Sequence, residues 1–347
     1  MRALVCIATS FAIAATATAQ VPRTKEGKPD FQGVWSNASI TRLERVPEFK
    51  TLEISEADAK KWEEDAATVG AADQAATDPS KGAPAANEDP AGYNFFWIDP
   101  GKKVGKVNGT YRSSWITDPA TGKIPYTQAG RTAMMKPVST MNMYNNPEER
   151  VPIERCLIGF GSTGGPPMLN VLYNNHQQII QTPDAIAINV EMIHDTRIIR
   201  MNGKHNPGDV RQYMGNTVGR WEGDTLVTET VGFKPMEAVR MDFGLFVYVS
   251  PDSKVTEHFT LQDPDTILYQ FTVEDPVAYT QPWKGELTFH RSKERLYEYA
   301  CHEGNYAVPN ILGGARQMER EGRKQPVITS SIGRLDRPSE TNMPKKQ

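Results

Sequence analysis

The stretch YNNHQQIIQTPDAIAINVEMIHDTRIIRM, residues 173–201, decides the fold. It contains two runs of strand-forming residues, 176–182 and 185–191, joined at Pro183-Asp184, a pair typical of tight turns. Side chains alternate along the second run, because successive residues of a strand point to opposite faces. One face carries Ile186, Ile188 and Val190, and the other carries Ala185, Ala187, Asn189 and Glu191. The second face suits either a barrel wall that leaves room for a ligand or a face open to solvent.

Further strand pairs follow this stretch in quick succession. Segments 218–221 and 225–231 flank Glu222-Gly223-Asp224, and segments 254–261 and 266–274 flank Asp263-Pro264-Asp265. The remaining predicted strands are 197–201, which ends at the type I′ hairpin signal Asn202-Gly203, 286–291 and 295–300. Roughly eight to ten antiparallel strands with such short turns are typical of a barrel or a sandwich. We predict a closed barrel, because closure removes exposed sheet edges.

The first strand gives a more specific indication of the fold. Residues 31–35 read FQGVW, and Gly33-Val34-Trp35 resembles the Gly-x-Trp on the first strand of lipocalin-type barrels, where the Trp closes one end. The predicted fold class is therefore mainly β. It is an antiparallel lipocalin-like β-barrel with a helical and loop-rich insertion and a C-terminal helix. This likeness concerns the fold and implies no chemistry.

The insertion is expected at about residues 50–150, packed over one end of the barrel. Its predicted elements are a helix at 54–69, a loop at 71–92, an aromatic run at 93–97, a hairpin with its turn at Asn108-Gly109, and a helix at 127–135. Ser55 and Asp58 have the spacing of a helix-capping box. The C-terminal helix is predicted at 311–321. Residues 20–335 are interpreted as a single domain, followed by a disordered tail at 336–347.

Residues 1–19 have the pattern of a secretory signal peptide. Arg2 provides a positive start, an apolar run follows, and Ala17-Thr18-Ala19 is a small-x-small cleavage pattern. The apolar run is too short to span a bilayer, and no later run is long and apolar enough to do so. We therefore expect a periplasmic or secreted protein that is not inserted in a membrane.

Cysteine content and charge narrow the partners of the mature chain. Cys156 and Cys301 would remain after cleavage, and an even pair in an exported protein predicts a disulfide, with two free thiols as the alternative. The net charge is −3 for the full sequence and −4 once Arg2 is removed with the signal, which is too mild to indicate a nucleic-acid surface. The expected partner is a small-molecule ligand or substrate, and the oligomeric state is left open.

The first candidate site is the polar cluster of Glu191, His194, Asp195 and Arg197. Histidine is well suited to proton transfer near neutral pH, so His194 would act as the base or acid. Glu191 or Asp195 would orient it, and Arg197 would hold an anion or a developing oxyanion. The alternative is that His194 only holds its turn together through hydrogen bonds.

A second group lies farther along the chain. Glu257 falls on the apolar face of the strand 254–261, where a carboxylate needs a charged partner or a function. Arg197 and Arg155 are its candidate partners, and Tyr269 is predicted to present its hydroxyl inside the barrel. The further predicted substrate-binding residues are Tyr173, Asn174, His302 and Trp97, with the aromatic run 93–97 as a lid.

The chain lacks the common cofactor motifs. The Gly-rich segment 159–165 (GFGSTGG) has no Lys, precedes two prolines, and matches neither a phosphate-binding loop nor a Gly-x-Ser-x-Gly elbow. No His-Glu-x-x-His occurs, and the spacing of the histidines does not indicate a metal site. We therefore predict no cofactor and no metal.

Several segments together resemble a large family of exported bacterial proteins, most of which have no assigned function. The segments are 154–156 (ERC), 173–175 (YNN), 191–197 (EMIHDTR), 219–227 (GRWEGDTLV), 271–276 (FTVEDP) and 297–306 (YEYACHEGNY). The resemblance implies a secreted, β-rich protein and names no reaction.

The leading hypothesis is an exported, cofactor-independent enzyme of the lyase, isomerase or hydrolase type. It would act on a small organic molecule by general acid–base catalysis inside the barrel cavity. The second hypothesis is a non-catalytic, lipocalin-like binding protein for an apolar or aromatic ligand, and the third is a structural protein whose charges pair with one another. The first hypothesis, as stated, requires Glu191, His194, Glu257 and His302 to converge in one cavity.

Overall fold

The computed structural model describes residues 20–73, 80, 100–140, 143–159, 164–234, 239–242 and 245–324. The predicted signal peptide at 1–19, the aromatic run at 93–97 and the tail at 336–347 lie outside these described residues. Among the described residues no helix is long and apolar enough to cross a bilayer.

Strands dominate the described chain. In order they are β1 (Gly33–Ser36), β2 (Glu53–Ile54), β3 (Lys106–Val107), β4 (Thr110–Arg112), β5 (Ile116–Asp118), β6 (His176–Gln181), β7 (Ala185–Val190), β8 (Thr196–Met201), β9 (Asn216–Glu222), β10 (Thr225–Val231), β11 (Val239–Asp242), β12 (Leu245–Tyr248), β13 (Lys254–Asp263), β14 (Thr266–Glu274) and β15 (Trp283–Arg291). The helices are α1 (Glu56–Asp73), α2 (Gln128–Thr140) and α3 (Ala307–Arg320). The predicted strand at 295–300 is wrong, because that segment is irregular and pairs with none of the described strands.

Nine strands form a closed barrel, which confirms the predicted fold class. Their order around the barrel is β1-β6-β7-β8-β9-β10-β13-β14-β15, and β15 pairs back with β1. The barrel is consistent with a lipocalin-like fold. Its pairings are antiparallel except for one, since β8 and β9 run parallel. An odd number of strands cannot alternate in direction around a closed ring, so one parallel pair is unavoidable.

The parallel pair corrects the hairpin predicted at Asn202-Gly203. Asn202 does adopt a left-handed conformation with φ of 54°. The chain then crosses over through residues 203–215 before β9 begins, because parallel neighbours need a connection of about a dozen residues or more. The turn after β8 therefore starts a crossover and not a hairpin.

The barrel interior is filled by apolar and aromatic side chains. Ile186, Ile188 and Val190 of β7 point inward and are buried, whereas Ala185, Ala187 and Asn189 lie on the outer face. Of the two interpretations of the small-residue face, the one placing it around a ligand is wrong. Aromatic rings from β13, β14 and β15 pack around Tyr269, with ring centroids 5.0 Å from Phe259 and 5.2 Å from Phe289.

One end of the barrel, called the closed end below, is covered by the segment before β1. Phe31 N donates to Gln181 Oε1 at 2.9 Å, which fixes that segment against the end of β6. Trp35 is fully buried and donates from Nε1 to Phe31 O at 2.8 Å, and the Arg291 guanidinium lies 4.3 Å from its ring centroid. Buried rings thus fill the barrel at this end.

The part of the opposite end formed by residues 173–176 and 190–196 is called the rim. The segment 164–171, called the plug, is buried throughout and enters the barrel beside the rim. Met168 N donates to the inward-facing Tyr269 hydroxyl at 2.8 Å. Asn170 accepts from Trp115 Nε1 at 2.8 Å and donates to Ser39 O at 2.7 Å. These buried hydrogen bonds anchor the plug to the barrel wall and to the insertion.

The insertion contributes a small sheet and two helices. Strands β2, β3 and β4 form the sheet, while β5 joins the barrel through β15. Helix α1 begins at the predicted capping box, since Asp58 N donates to Ser55 Oγ at 3.1 Å and Ser55 Oγ donates to Asp58 at 2.7 Å. Ala59 of α1 packs with Ile40 and Val104 in a small separate core.

A disulfide joins Cys156 to Cys301 and confirms the predicted pairing. The two cysteines are 145 residues apart in sequence, so the bond closes a long loop around most of the barrel. Cys301 packs against a small apolar cluster made by Val171, Met192 and Ile193. The disulfide therefore fastens the segment before α3 to the rim.

Candidate functional site

Strained backbone is concentrated at the rim. Among the described residues, six that are not glycine have a positive φ. Asn108 and Asn202 are in turns, where asparagine tolerates the left-handed region. The others are Cys156, Asn174, Ile193 and His194, which lie in or against the rim. Such positions cost about 1–3 kcal/mol each and cluster at functional sites.

Ile193 is the least expected of these residues. It has φ 56° and ψ 19°, and it is 2% exposed. A β-branched side chain is disfavoured in this conformation because its Cβ crowds the following carbonyl. His194 follows with φ 45°, so the chain turns sharply between β7 and β8. This turn brings His194 out of the strand and onto the surface.

Glu191 and His176 form the polar centre of the rim. Glu191 N donates to His176 O at 3.0 Å, which continues the ladder of β6 and β7. Its carboxylate is almost buried at 9% exposure, and Oε1 accepts from Asn174 Nδ2 at 2.8 Å. Oε2 lies 3.9 Å from His176 Nδ1. The left-handed conformation of Asn174 is part of the turn that brings its amide to this carboxylate.

His194 lies one turn from Glu191, and its N donates to Glu191 O at 3.3 Å. Its imidazole is exposed and makes no hydrogen bond to the described residues. Neither carboxylate expected to orient it does so. The Glu191 carboxylate is bonded by Asn174, and Asp195 Oδ2 accepts from Gly159 N at 3.1 Å. The rim therefore presents an accessible imidazole and, three residues earlier in the chain, an almost buried acid.

Arg197 and Glu257 form a separate group inside the barrel. Arg197 Nη1 lies 3.1 and 3.0 Å from the two Glu257 oxygens, and Nη2 lies 3.1 Å from Oε1. Glu257 also accepts from Thr228 Oγ1 at 2.8 Å and from the Tyr269 hydroxyl at 2.9 Å. Of its two candidate partners, Glu257 has Arg197. The guanidinium expected to hold an anion is thus already paired with a buried carboxylate.

The expected convergence in one cavity does not occur. Glu257 and Tyr269 are fully buried, while His194 and His302 are exposed. Burial, together with the negative charge of Glu257, raises the pKa of Tyr269 well above its ordinary value. Tyr269 is therefore a neutral hydroxyl that donates to Glu257 and is closed off from solvent. The predicted residues fall into a rim group and an interior group, so the hypothesis of one catalytic site inside the barrel cavity does not hold as stated, and only the rim group is left as a candidate acid–base site.

The other predicted lining residues lie around the rim or outside the described chain. Tyr173 is half-buried against the rim cluster, and burial together with Tyr299 raises its pKa to about 12. His302 follows the disulfide and is exposed, and within the described part of the chain its side chain makes no hydrogen bond or ion pair to Glu191 or His194. Trp97 lies outside the described residues. Asn174 and Tyr173 are thus the predicted lining residues that accompany Glu191.

Sequence reasoning missed His176 as a site residue. The predicted hairpin could have revealed it. A turn at Pro183-Asp184 pairs Gln181 with Ile186, and the same register places His176 opposite Glu191. Two buried amides, Asn37 and Gln177, were missed as well. Gln177 has the same strand parity as the buried Ile179, which places it on the inner face.

Comparisons with known proteins give no match: no protein-family model, no curated protein and no solved structure is similar to this chain. The resemblance to exported bacterial proteins thus stays a prediction. Among the described residues, no group of three or more His, Cys, Asp or Glu side chains is placed to hold a metal ion.

Proposed function

We propose that this chain is an exported enzyme that performs general acid–base chemistry at the rim of its barrel. The observation that carries the proposal is the strained Ile193–His194 turn, which presents an accessible imidazole three residues after the almost buried Glu191. Strain of this kind persists only where the surrounding structure enforces it. The barrel interior is assigned no catalytic role, because its charged groups are paired with each other.

In this proposal two groups exchange protons with the substrate. His194 is exposed and can contact a bound molecule directly. Glu191 is the second group, with Asn174 holding one carboxylate oxygen and His176 lying 3.9 Å from the other. A proton can therefore leave the substrate at one group and return from the other, which suits a lyase, isomerase or hydrolase reaction.

The disulfide supports the proposed site in two ways. It fastens the segment before α3 against the rim, since Cys301 packs with Met192 and Ile193. Asn305 adds a hydrogen bond from Nδ2 to Glu154 O at 3.1 Å across the same junction. A disulfide also persists mainly in oxidising compartments, which agrees with the signal-like residues 1–19 and supports the proposal of export.

The test uses 4-nitrophenyl acetate, an activated ester that a positioned imidazole cleaves. We expect H194A and E191Q each to lower kcat/KM by about 100-fold or more, because general acid–base groups typically contribute that much. E191Q retains an oxygen that can accept from Asn174, so its effect reports the lost charge. H258Q is the matched control, since His258 lies on the outer wall of β13, away from the rim.

Two results would contradict the proposal. One is a wild-type rate no greater than that of imidazole at the same concentration. The other is an H194A rate equal to that of the wild type and of H258Q. Near-ultraviolet circular dichroism of each variant shows whether a lost rate reflects unfolding. A variant that has lost only a catalytic group keeps the wild-type spectrum.

A further inference from the structure

We propose that the barrel contains a second binding site just below the rim, where the side-chain amides of Asn37 and Gln177 bind one small, uncharged molecule. This site lies on the inner face of the barrel and uses none of the groups assigned to the rim chemistry. It is therefore a proposal separate from the enzymatic one.

Strand pairing brings the two amides together. β1 and β6 are antiparallel, with Trp35 opposite Gln177. The ladder continues beyond β1, since Asn37 N donates to Asn175 O at 3.2 Å. Asn37 and Gln177 thus share the inward parity of Trp35 and are diagonal neighbours. Such neighbours have Cα atoms about 7–8 Å apart, within reach of one bridging molecule.

Both amides are buried and lack hydrogen-bond partners in the described part of the chain. Asn37 is 1% exposed and Gln177 is 0% exposed. The oxygen and the nitrogen of each amide have no hydrogen-bond partner among the described residues. An unsatisfied buried polar atom costs about 1–3 kcal/mol, so four of them would be a large fraction of a typical stability. A guest that bonds to both amides removes most of that cost.

Two neighbouring buried amides, by contrast, have hydrogen-bond partners within the protein. Asn175 is equally buried, but its Oδ1 accepts from Val171 N and its Nδ2 donates to Val171 O, both at 2.8 Å. Asn170 is bonded to Trp115 and Ser39. The amides that hold the plug are thus satisfied by the protein, whereas those of Asn37 and Gln177, beside the plug, are not.

The surroundings define the chemistry of the guest. A primary amide both donates and accepts, so the guest must do the same. The charged pair inside the barrel, Arg197 with Glu257, is neutral overall, so it does not favour a charged guest. Ile179 and Val190, the buried neighbours of Gln177 along and across the sheet, supply apolar inner walls. These features fit water, a small carboxamide or a small polyol.

The first test compares thermal melts of two variants of the full chain. Q177M replaces the inner amide with an apolar side chain of similar length, and Q178M is the matched control on the exposed face of the same strand. If a guest satisfies Gln177, Q177M loses those bonds and its Tm falls by at least about 2 °C. If Gln177 is unpaired, Q177M removes an unsatisfied group and its Tm rises, which overturns the proposal. Q178M should leave the Tm unchanged.

The second test identifies the guest. A crystal structure of the wild type at high resolution should show density within hydrogen-bond distance of both amides, and this density should be absent in the N37L/Q177M variant. A saturable rise in Tm with acetamide in the wild type, lost in Q177M, assigns an organic guest. Density for water with no response to acetamide assigns solvent. Direct bonds from both amides to protein atoms would overturn the site. None of these outcomes depends on ester hydrolysis at the rim, so the two proposals fail independently.

Discussion

Replacing Arg197 by Met is the change whose effect the structure specifies best. Glu257 is fully buried and accepts three guanidinium contacts of 3.0–3.1 Å from Arg197. The variant R197M leaves this carboxylate in the barrel with only the hydroxyls of Thr228 and Tyr269 as donors. Removing one partner of a buried ion pair costs about 3–5 kcal/mol, because the remaining charge is uncompensated. We expect the free energy of unfolding to fall by that amount.

A double-mutant cycle separates the pair from its surroundings. E257L alone leaves the buried Arg197 guanidinium without its carboxylate partner and should also lower the free energy of unfolding by about 3–5 kcal/mol. The double variant R197M/E257L removes both charges, so it should lie within about 2 kcal/mol of the wild type, because apolar replacements of buried pairs are often neutral. The coupling energy is then at least about 4 kcal/mol, since the two single costs of at least about 3 kcal/mol exceed the double cost of at most about 2 kcal/mol by that amount. Urea titration followed by tryptophan fluorescence measures each free energy of unfolding.

A small loss of stability in R197M would contradict the assignment of Arg197 and Glu257 as a buried ion pair. If R197M cost less than about 1 kcal/mol, the pair would behave like an exposed one, and the interior would have to be open to solvent. The comparison is R220M, because Arg220 and Glu222 form an ion pair whose side chains are 54% and 53% exposed. That substitution should change the free energy of unfolding by less than about 1 kcal/mol.

Three further predictions concern stability. H194G should raise the free energy of unfolding by about 1 kcal/mol in urea titration, because glycine adopts φ of 45° without strain, whereas H194A should give no gain. C156S/C301S should lower it by about 2–5 kcal/mol, and reduction of the wild-type disulfide should lower it similarly. Burial lowers the pKa of His290 below its ordinary 6.5, so the unfolded chain takes up a proton before the folded one does. Stability should therefore decline as the pH falls below 6.5, and urea titrations across that range should show a smaller decline for H290Q; equal declines would contradict this.

Local rules predicted the strands of the barrel well. Turn residues such as Pro183-Asp184 and Glu222-Gly223-Asp224 correctly predicted the positions of hairpins, because the conformation of a turn depends on only a few consecutive residues. The alternation around Glu257 correctly indicated a carboxylate on an inward face, and Arg197 was one of its two named partners. These successes rest on spacing within a strand, which the chain itself displays.

The failures involve contacts between distant segments. Nothing near Asn202 indicates that β9 will pair in parallel with β8, since that pairing depends on closing the whole ring. The plug at 164–171 has neither strand nor helix periodicity, yet it is buried because the barrel surrounds it. The separation of His194 from Glu257 likewise follows from strand parity combined with the turn at Ile193. The sequence therefore predicted where the candidate site lies, at the rim end of β7, but not which residues belong to it.

The odd strand count has a topological consequence. A hairpin gained or lost changes the number of strands by two, so the parallel seam between β8 and β9 would survive any such event. The first and last barrel strands, β1 and β15, are antiparallel neighbours, so the barrel is related to a simple up-and-down barrel by circular permutation. Joining the natural ends and opening the chain within residues 203–215 would give a meander in which successive strands are antiparallel neighbours. The seam would then be the contact between its first and last strands.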